Sequence, residues 1–244
     1  MARPLLLDAF CRKGGSSAGY EAAGFHVVGV DIEDHADGYA GSEFVQADAV
    51  TYIRDHGHQF AAIHAGPPCQ RDCALTLGTN AARAGLHTSL LEVTREALDA
   101  TGRPYVIEQP IGRAPMRRDV LLCGLMYDLK VYRHRQFELS GWTMPNPAHP
   151  SHRGHRVAGY RHGRNYEGDM YAVYGDGGGK GSVTDWQRAM GIPWMSNKKD
   201  LAEAIPPAYT RHLGEALHAL VANPRRSAAP GVRVVARTGL SRSR

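Results

Sequence analysis

The stretch "HAGPPCQRDC" sets a cysteine, Cys69, behind two prolines and directly after an apolar run, "AAIH". Prolines stiffen a turn, and a strand ending in such a turn delivers its next side chains to the carboxyl edge of a sheet, where open α/β sheets bind ligands. A thiolate presented there is a nucleophile activated by its surroundings. Alone, a Pro-Cys dipeptide reads better as a buried structural cysteine, because free cysteine is among the most buried residue types. Its company changes that reading. "YVIEQP" is a second apolar run, ending in Glu108 and also followed by proline. Desolvation at an apolar strand end raises a carboxyl pKa and makes the group a proton donor near neutral pH. In "VYRHRQFEL" the two-residue period of a strand predicts Arg133 and Arg135 on one face. Two guanidinium groups aimed at one spot suit an anionic or carbonyl-bearing ligand. Singly, Glu108 reads as a strand cap and the arginines as salt-bridge partners; at successive strand ends they read together as a site.

A second constellation precedes these. "LDAFCRKGGSSAGYEAAGFHVVGVDI", residues 7–32, runs from an apolar segment through a turn with Gly14, Gly15 and Gly19 to a helix, then to a strand ending on Asp31. Strand, glycine turn, helix, strand and acid form the grammar of a nucleotide-type binding unit. Arg12 and Lys13 stand in that turn where small residues are usual.

The elements that must position these groups follow from periodicity. Strands are predicted at 5–10, 26–30, 61–65 and 105–108, and helices at 17–23 and 89–100. Their alternation predicts an α/β parallel sheet. From Gly141 the texture shifts to Gly, Pro, His, Arg and Tyr without helical period, so a small, ordered, irregular insertion is expected over 141–182, with "MYAVY" as its β-like part. Helical pattern resumes at "VTDWQRAMGI" and "AYTRHLGEALHALV". The organisation expected is a catalytic domain over 1–140, the insertion over 141–182, a return to the catalytic domain over 183–222 and a basic, disordered tail over 223–244.

Bulk properties bound the function. The chain has 244 residues, no apolar stretch near the roughly 20 that span a bilayer, and no signal-peptide order at its start. Its four cysteines, Cys11, Cys69, Cys73 and Cys123, show no paired metal or disulfide spacing, which points to a reducing cytoplasm. The six arginines of the tail exceed the whole net charge of +5, so the rest of the chain is slightly acidic. Such a tail reads as a solvated terminus or as an attraction to nucleic acid phosphates.

The motifs, in order, resemble those of the DNA cytosine-5 methyltransferases. "DAFCRKGG" resembles the family's first motif, Asp31 its ribose-binding acid, and "QADA" around Asp48 its adenine-side motif. "GPPCQ" resembles the nucleophile motif, "IEQP" the Glu-Asn-Val motif, "YRHRQF" the Arg-x-Arg motif, and "MGIP" with "EAIPPAYTRHLG" the closing two. The likeness covers most of residues 4–217 and is strongest to compact bacterial and phage members. It implies a Rossmann-like S-adenosylmethionine-dependent sheet with a short target-recognition insertion, in a monomer acting on double-stranded DNA in a bacterial cytoplasm. Cys69 would attack carbon 6 of a flipped-out cytosine, Glu108 would protonate or hydrogen-bond ring nitrogen 3, and Arg135 with Arg133 would hold the carbonyl. Carbon 5 would then take the methyl group; a base in a stacked duplex is unreachable, so extrusion is required. The cofactor set implied is Asp8, Phe10, Cys11, Gly14, Gly15, Asp31, Ile32, Asp48, Ala49, Pro67, Glu203 and Ala204. Contacts to DNA are expected from Gln70, Arg71 and Arg83, and in the insertion from Arg153, Arg156, Arg161 and Arg164.

Three departures from the family pattern stand out. Arg12 replaces the first glycine of the first motif, Gln109 and Pro110 follow Glu108 in place of Asn-Val, and Ala202-Glu203 replace a Gly-Asn. Arg12 pointing outward leaves Gly14-Gly15 to serve; pointing inward, it meets the carboxylate of the methionine moiety or excludes the cofactor. Glu203 near Arg12 and Lys13 reads as a compensating charge swap or as an altered donor site. His149, His152 and His155 ("HPSHRGH") lack a fourth protein ligand of evident spacing, so no metal is expected. The short insertion predicts a recognition sequence of about two to four base pairs. The competing readings are the same chemistry on another nucleic acid or with another donor, and a DNA-binding module without turnover.

Overall fold

The computed structural model describes residues 2–68, 90–112, 114–161, 163–175 and 181–222. Seven strands form one sheet: β1 Leu5–Ala9, β2 His26–Asp31, β3 Glu43–Gln46, β4 Ala62–Ala65, β5 Tyr105–Pro110, β6 Val120–Leu122 and β7 Arg135–Ser140. Their order is β3-β2-β1-β4-β5-β7-β6, with β7 antiparallel to both neighbours and the other pairs parallel. The order in which successive strands are added reverses between the parallel β1 and β4, so a crevice opens outside their carboxyl ends.

Alternation sorts the strand side chains into two cores. Leu6, Ala62, Val106 and Phe137 face one side, under α1 (Gly15–Ala22) and an α-helix at Pro207–Ala222. Leu7, Ala9, Val30, Ile63 and Ile107 face the other, under α2 (Ala49–His56) and α3 (Leu91–Thr101). The near-continuous apolar runs of β1, β2 and β5 are what a sheet covered on both faces requires. The closing segment adds α4 (Val183–Met190), α5 (Lys198–Glu203) and, at Pro207–Ala222, α6. Ser182 and Asp185 form a capping box at the start of α4, and Gly191 ends it in the left-handed conformation.

Gly19 is where α1 meets α6 at close range. A Cβ there would sit 2.1 Å from Thr210 Oγ1 and 2.2 Å from the Pro207 carbonyl oxygen. The Thr210 hydroxyl in turn donates to the Ser16 carbonyl (2.8 Å). No described helix is long and apolar enough to cross a membrane.

Two predicted elements differ. β7 starts at Arg135, two residues later than the alternation of "VYRHRQFEL" suggests, because Arg133 has φ 34° and breaks the strand. "MYAVY" forms no strand beyond a bridge between Met170 and Val157; instead Met170 and Val173 are buried, and Val173 packs with Trp186, Met190 and Leu201. The ordered β-structure of the insertion is a hairpin, β8 (Gly159–Arg161) with β9 (Arg164–Tyr166).

Candidate active site

At the carboxyl edge, the exits of β1, β2, β4 and β5 surround a pocket of about 840 Å³. Phe10, Cys11, Arg12, Gly15, Asp31, Ile32, Pro67, Pro68, Glu108, Arg133, Arg135, Glu203 and Ala204 are among the residues lining it. That volume is within the range of small-molecule sites.

The register explains the sheet face at its base, where His64 and Glu108 line the pocket and Asp8 does not. Asp8 pairs with His64 across β1 and β4, and His64 with Val106 across β4 and β5, so the period of two puts Asp8, His64 and Glu108 on one face. All three are buried. Ser16 Oγ donates to Asp8 Oδ2 at 2.6 Å, Ser17 Oγ donates to the same oxygen, and Asp8 Oδ1 has no partner. Burial pushes the Asp8 pKa up to about 7, against the lowering effect of the two serines. His64 shares a hydrogen bond with the Tyr20 hydroxyl (3.0 Å), and burial lowers its pKa to about 3, so its ring is neutral.

Glu108 is the most strongly placed of the predicted catalytic residues. Arg135 Nε lies 2.6 Å from its Oε1, an ion pair whose N–H is not aligned on the oxygen. Burial raises the Glu108 pKa, while Arg135 and then Arg133 pull it down; burial prevails. Gln109 Nε2 donates to the Pro67 carbonyl (2.6 Å), which fixes the end of β5 to the Gly66-Pro67-Pro68 turn. A carboxamide at 109 therefore orients the turn that leads to Cys69. Cys69 itself, with Gln70, Arg71 and Arg83, lies outside the described residues.

Arg133 does not join Arg135 on a strand face. Its guanidinium donates to the carbonyls of Ala202 (2.6 Å), Val173 (2.7 Å) and Ala204 (2.9 Å), holding the insertion and the α5 segment to the sheet. The pocket wall is its surroundings, and the carbonyl stitching its clearest contact.

Arg12 is at the pocket wall rather than out in solvent. It has φ 47°, the left-handed region that favours glycine, and its backbone N–H donates to Asp31 Oδ2 (3.0 Å). Its Nε sits 2.7 Å from Glu203 Oε2, with Glu33 at 3.8 Å and Asp200 at 3.9 Å. The charge swap read from the sequence is thus a physical ion pair. Asp31 also accepts from the Glu33 N–H (3.1 Å), yet a carboxylate offers about four lone-pair sites and keeps capacity for a ligand. Gly14, at φ 76°, is the N-cap of α1 and does not line the pocket, whereas Gly15 does.

Asp48 and Ala49 do not line the pocket. Asp48 caps α2 by accepting from the Thr51 N–H (2.8 Å), which lowers its pKa, and Ala49 packs in the core. In the insertion, Arg153, Arg156 and Arg164 are exposed, and the Arg161 side chain is outside the described set. The histidines depart from expectation. His149 and His152 come together with Cys123 and His134, two groups of metal-ligating type that sequence spacing did not reveal, whereas His155 pairs with Asp169 (2.6 Å).

Sequence reasoning missed His64, Ser16, Ser17 and, of the acids facing Arg12, Glu33 and Asp200. The "AAIH" alternation held the signal for His64, since it shares parity with Asp8 once β1 and β4 are paired.

No protein-family model matches the chain, and no curated protein sequence does. Among solved structures, it is similar to the methyltransferase EhMeth of Entamoeba histolytica at TM-score 0.55 and 10% identity, covering 89% of this chain and 98% of that one. It also matches a candidate DNA modification methyltransferase encoded within a prophage (E. coli) at TM-score 0.41 and 19% identity, covering 56% of this chain and 46% of that one. The Dnmt2 methyltransferase of S. pombe matches at TM-score 0.39 and 16% identity, over 57% of this chain and 49% of that one. The chain therefore spans under half the length of the last two. The likeness to EhMeth is one of fold, an α/β methyltransferase-type sheet.

Proposed function

We propose that the chain transfers a methyl group from S-adenosylmethionine to carbon 5 of a cytosine flipped out of double-stranded DNA, through a covalent bond from Cys69. The observation that carries this reading is the buried Glu108–Arg135 pair (2.6 Å) beside the Pro67-Pro68 turn, in the pocket that Asp31 and the "FCRKGG" loop also line. The wall fits the donor. Asp31 keeps lone pairs for hydroxyl groups, the exposed Ile32 and the Phe10 ring offer apolar contact, and the acids around Arg12 suit a ligand bearing both charges. When bound, S-adenosylmethionine supplies an electrophilic methyl group.

The residues divide the remaining work. Glu108, whose pKa burial raises, donates a proton to ring nitrogen 3 and drains charge from the ring as the Cys69 thiolate bonds to carbon 6. Arg135 faces the carbonyl oxygen that gains negative charge in that step. After methylation, loss of the carbon-5 proton and breaking of the Cys69 bond restore the aromatic ring. Gln109 keeps the turn before Cys69 in place through Pro67.

A duplex containing 5-fluorocytosine in many sequence contexts tests this, because fluorine cannot leave as a proton does. With S-adenosylmethionine, denaturing mass spectrometry should find a protein–DNA adduct that Cys69→Ser abolishes. The Arg12–Glu203 bridge on the pocket wall favours a second reading, a DNA-binding module without turnover. Absence of the adduct together with no calorimetric binding of S-adenosylhomocysteine would replace the first reading with the second.

A further inference from the structure

We propose that Cys123, His134, His149 and His152 form a structural zinc site that clamps the insertion to the catalytic sheet. Their donor atoms all lie within 4.8 Å of one another. Cys123 Sγ is 3.3 Å from His152 Nε2, and His134 Nε2 is 2.9 Å from His149 Nε2. A tetrahedral zinc ion with the usual bond lengths spaces two nitrogens by about 3.4 Å, and a sulfur and a nitrogen by about 3.6 Å. The cluster is therefore at coordination scale and needs only small rotamer adjustments to admit the ion.

The backbone explains the assembly. Leu122 pairs with Arg135 in the β6–β7 ladder, so Cys123 and His134 are the next residues across from each other where the two strands part. His149 and His152 come from the insertion, three residues apart in "HPSH", and their rings stand 5.0 Å from each other and 5.1 Å each from the His134 ring. Tyr132 stacks on His152 at 4.2 Å and 15°, which orients that ligand. The composition selects the metal. One thiol and three imidazoles, with no carboxylate, suit zinc rather than calcium or magnesium. Four protein ligands leave no open position, which marks a structural rather than a catalytic centre. On binding, the Cys123 thiol proton passes to solvent. The residue after His134 is Arg135, so the ion would fix the strand start that meets Glu108.

The test uses the full chain, purified with reductant and without chelator. Elemental analysis should give close to one zinc per chain. Cobalt(II) replacement should give the intense visible bands of a tetrahedral centre and a thiolate-to-metal charge-transfer band. Cys123→Ser should lose the charge-transfer band, and His149→Ala, at an exposed ligand, should lose stoichiometric metal while keeping its circular dichroism. His155→Ala should retain zinc in full. A strong chelator should lower the melting temperature of the wild type and leave that of His149→Ala unmoved. Zinc-free wild-type protein that stays zinc-free after incubation with the metal and gel filtration overturns the site. So does zinc retained at full stoichiometry by His149→Ala.

Discussion

At the scale of the residue, two buried groups on one sheet face are driven apart by the same burial. Asp8 is pushed up to about 7 and His64 down to about 3, so both are neutral over much of the acid range. The consequences for stability have opposite signs. Between about 4 and 7, folded Asp8 holds a proton that the unfolded chain has released, so its contribution is full below the ordinary carboxylate pKa and is lost as pH rises towards 7. His64 acts the other way, adding stability as pH rises through its own window. Asp8→Asn removes only the first effect. Its melting temperature should gain on the wild type from about pH 4 to about pH 7 and level off above that, and thermal denaturation from about pH 4 to pH 8 reads the difference; a constant offset would contradict it. Arg12 teaches a related lesson. An arginine in a left-handed conformation costs about 1 kcal/mol or more, and the Asp31 hydrogen bond and the Glu203 pair are what hold it there.

At the scale of the element, much was legible. The strands ending near Ala9, Asp31, Ala65 and Pro110 follow from uninterrupted apolar runs, and α4 and α6 from helical spacing. β3 and α2 escaped because β3 has four residues, half exposed, and the Val50-Thr51-Tyr52-Ile53 run of α2 is made of residue types that favour strands. The Arg133 break escaped because alternation cannot report a positive φ in a residue other than glycine. The contacts of Gln109 and Cys123 escaped because their partners, Pro67 and the insertion histidines, are distant in sequence. Gly19, by contrast, was visible as a glycine, but the reason for it is the α6 backbone. Gly19→Ala should destabilise by roughly 2 kcal/mol or more, since neither the Pro207 carbonyl nor the helix axis gives way cheaply. Urea denaturation should show the midpoint falling with the slope unchanged; an unchanged midpoint would mean that the helices part at no cost.

At the scale of the whole molecule, one sheet edge gathers groups from every part of the described chain. β1 and β2 bring the acids, β5 and β7 the Glu108–Arg135 pair, and α5 the partner of Arg12. Trp194 closes this arrangement by donating to the Lys13 carbonyl (3.1 Å) across 181 residues.

Arg133 has a further consequence, in time rather than in place. Its three carbonyl partners lie 40, 69 and 71 residues further along the chain. Contacts of such separation carry a large loop-closure cost and belong after the rate-limiting ordering of the β-α-β core. Arg133→Ala removes roughly 3 kcal/mol of charge-assisted bonding. Nearly all of that should appear as unfolding about a hundredfold faster, with the refolding rate unchanged. Stopped-flow chevrons would show it, and a slowed refolding limb would place Arg133 in the nucleus instead. On that view Arg133 sets how long the closing segment stays folded over the pocket, and has little part in how fast it gets there.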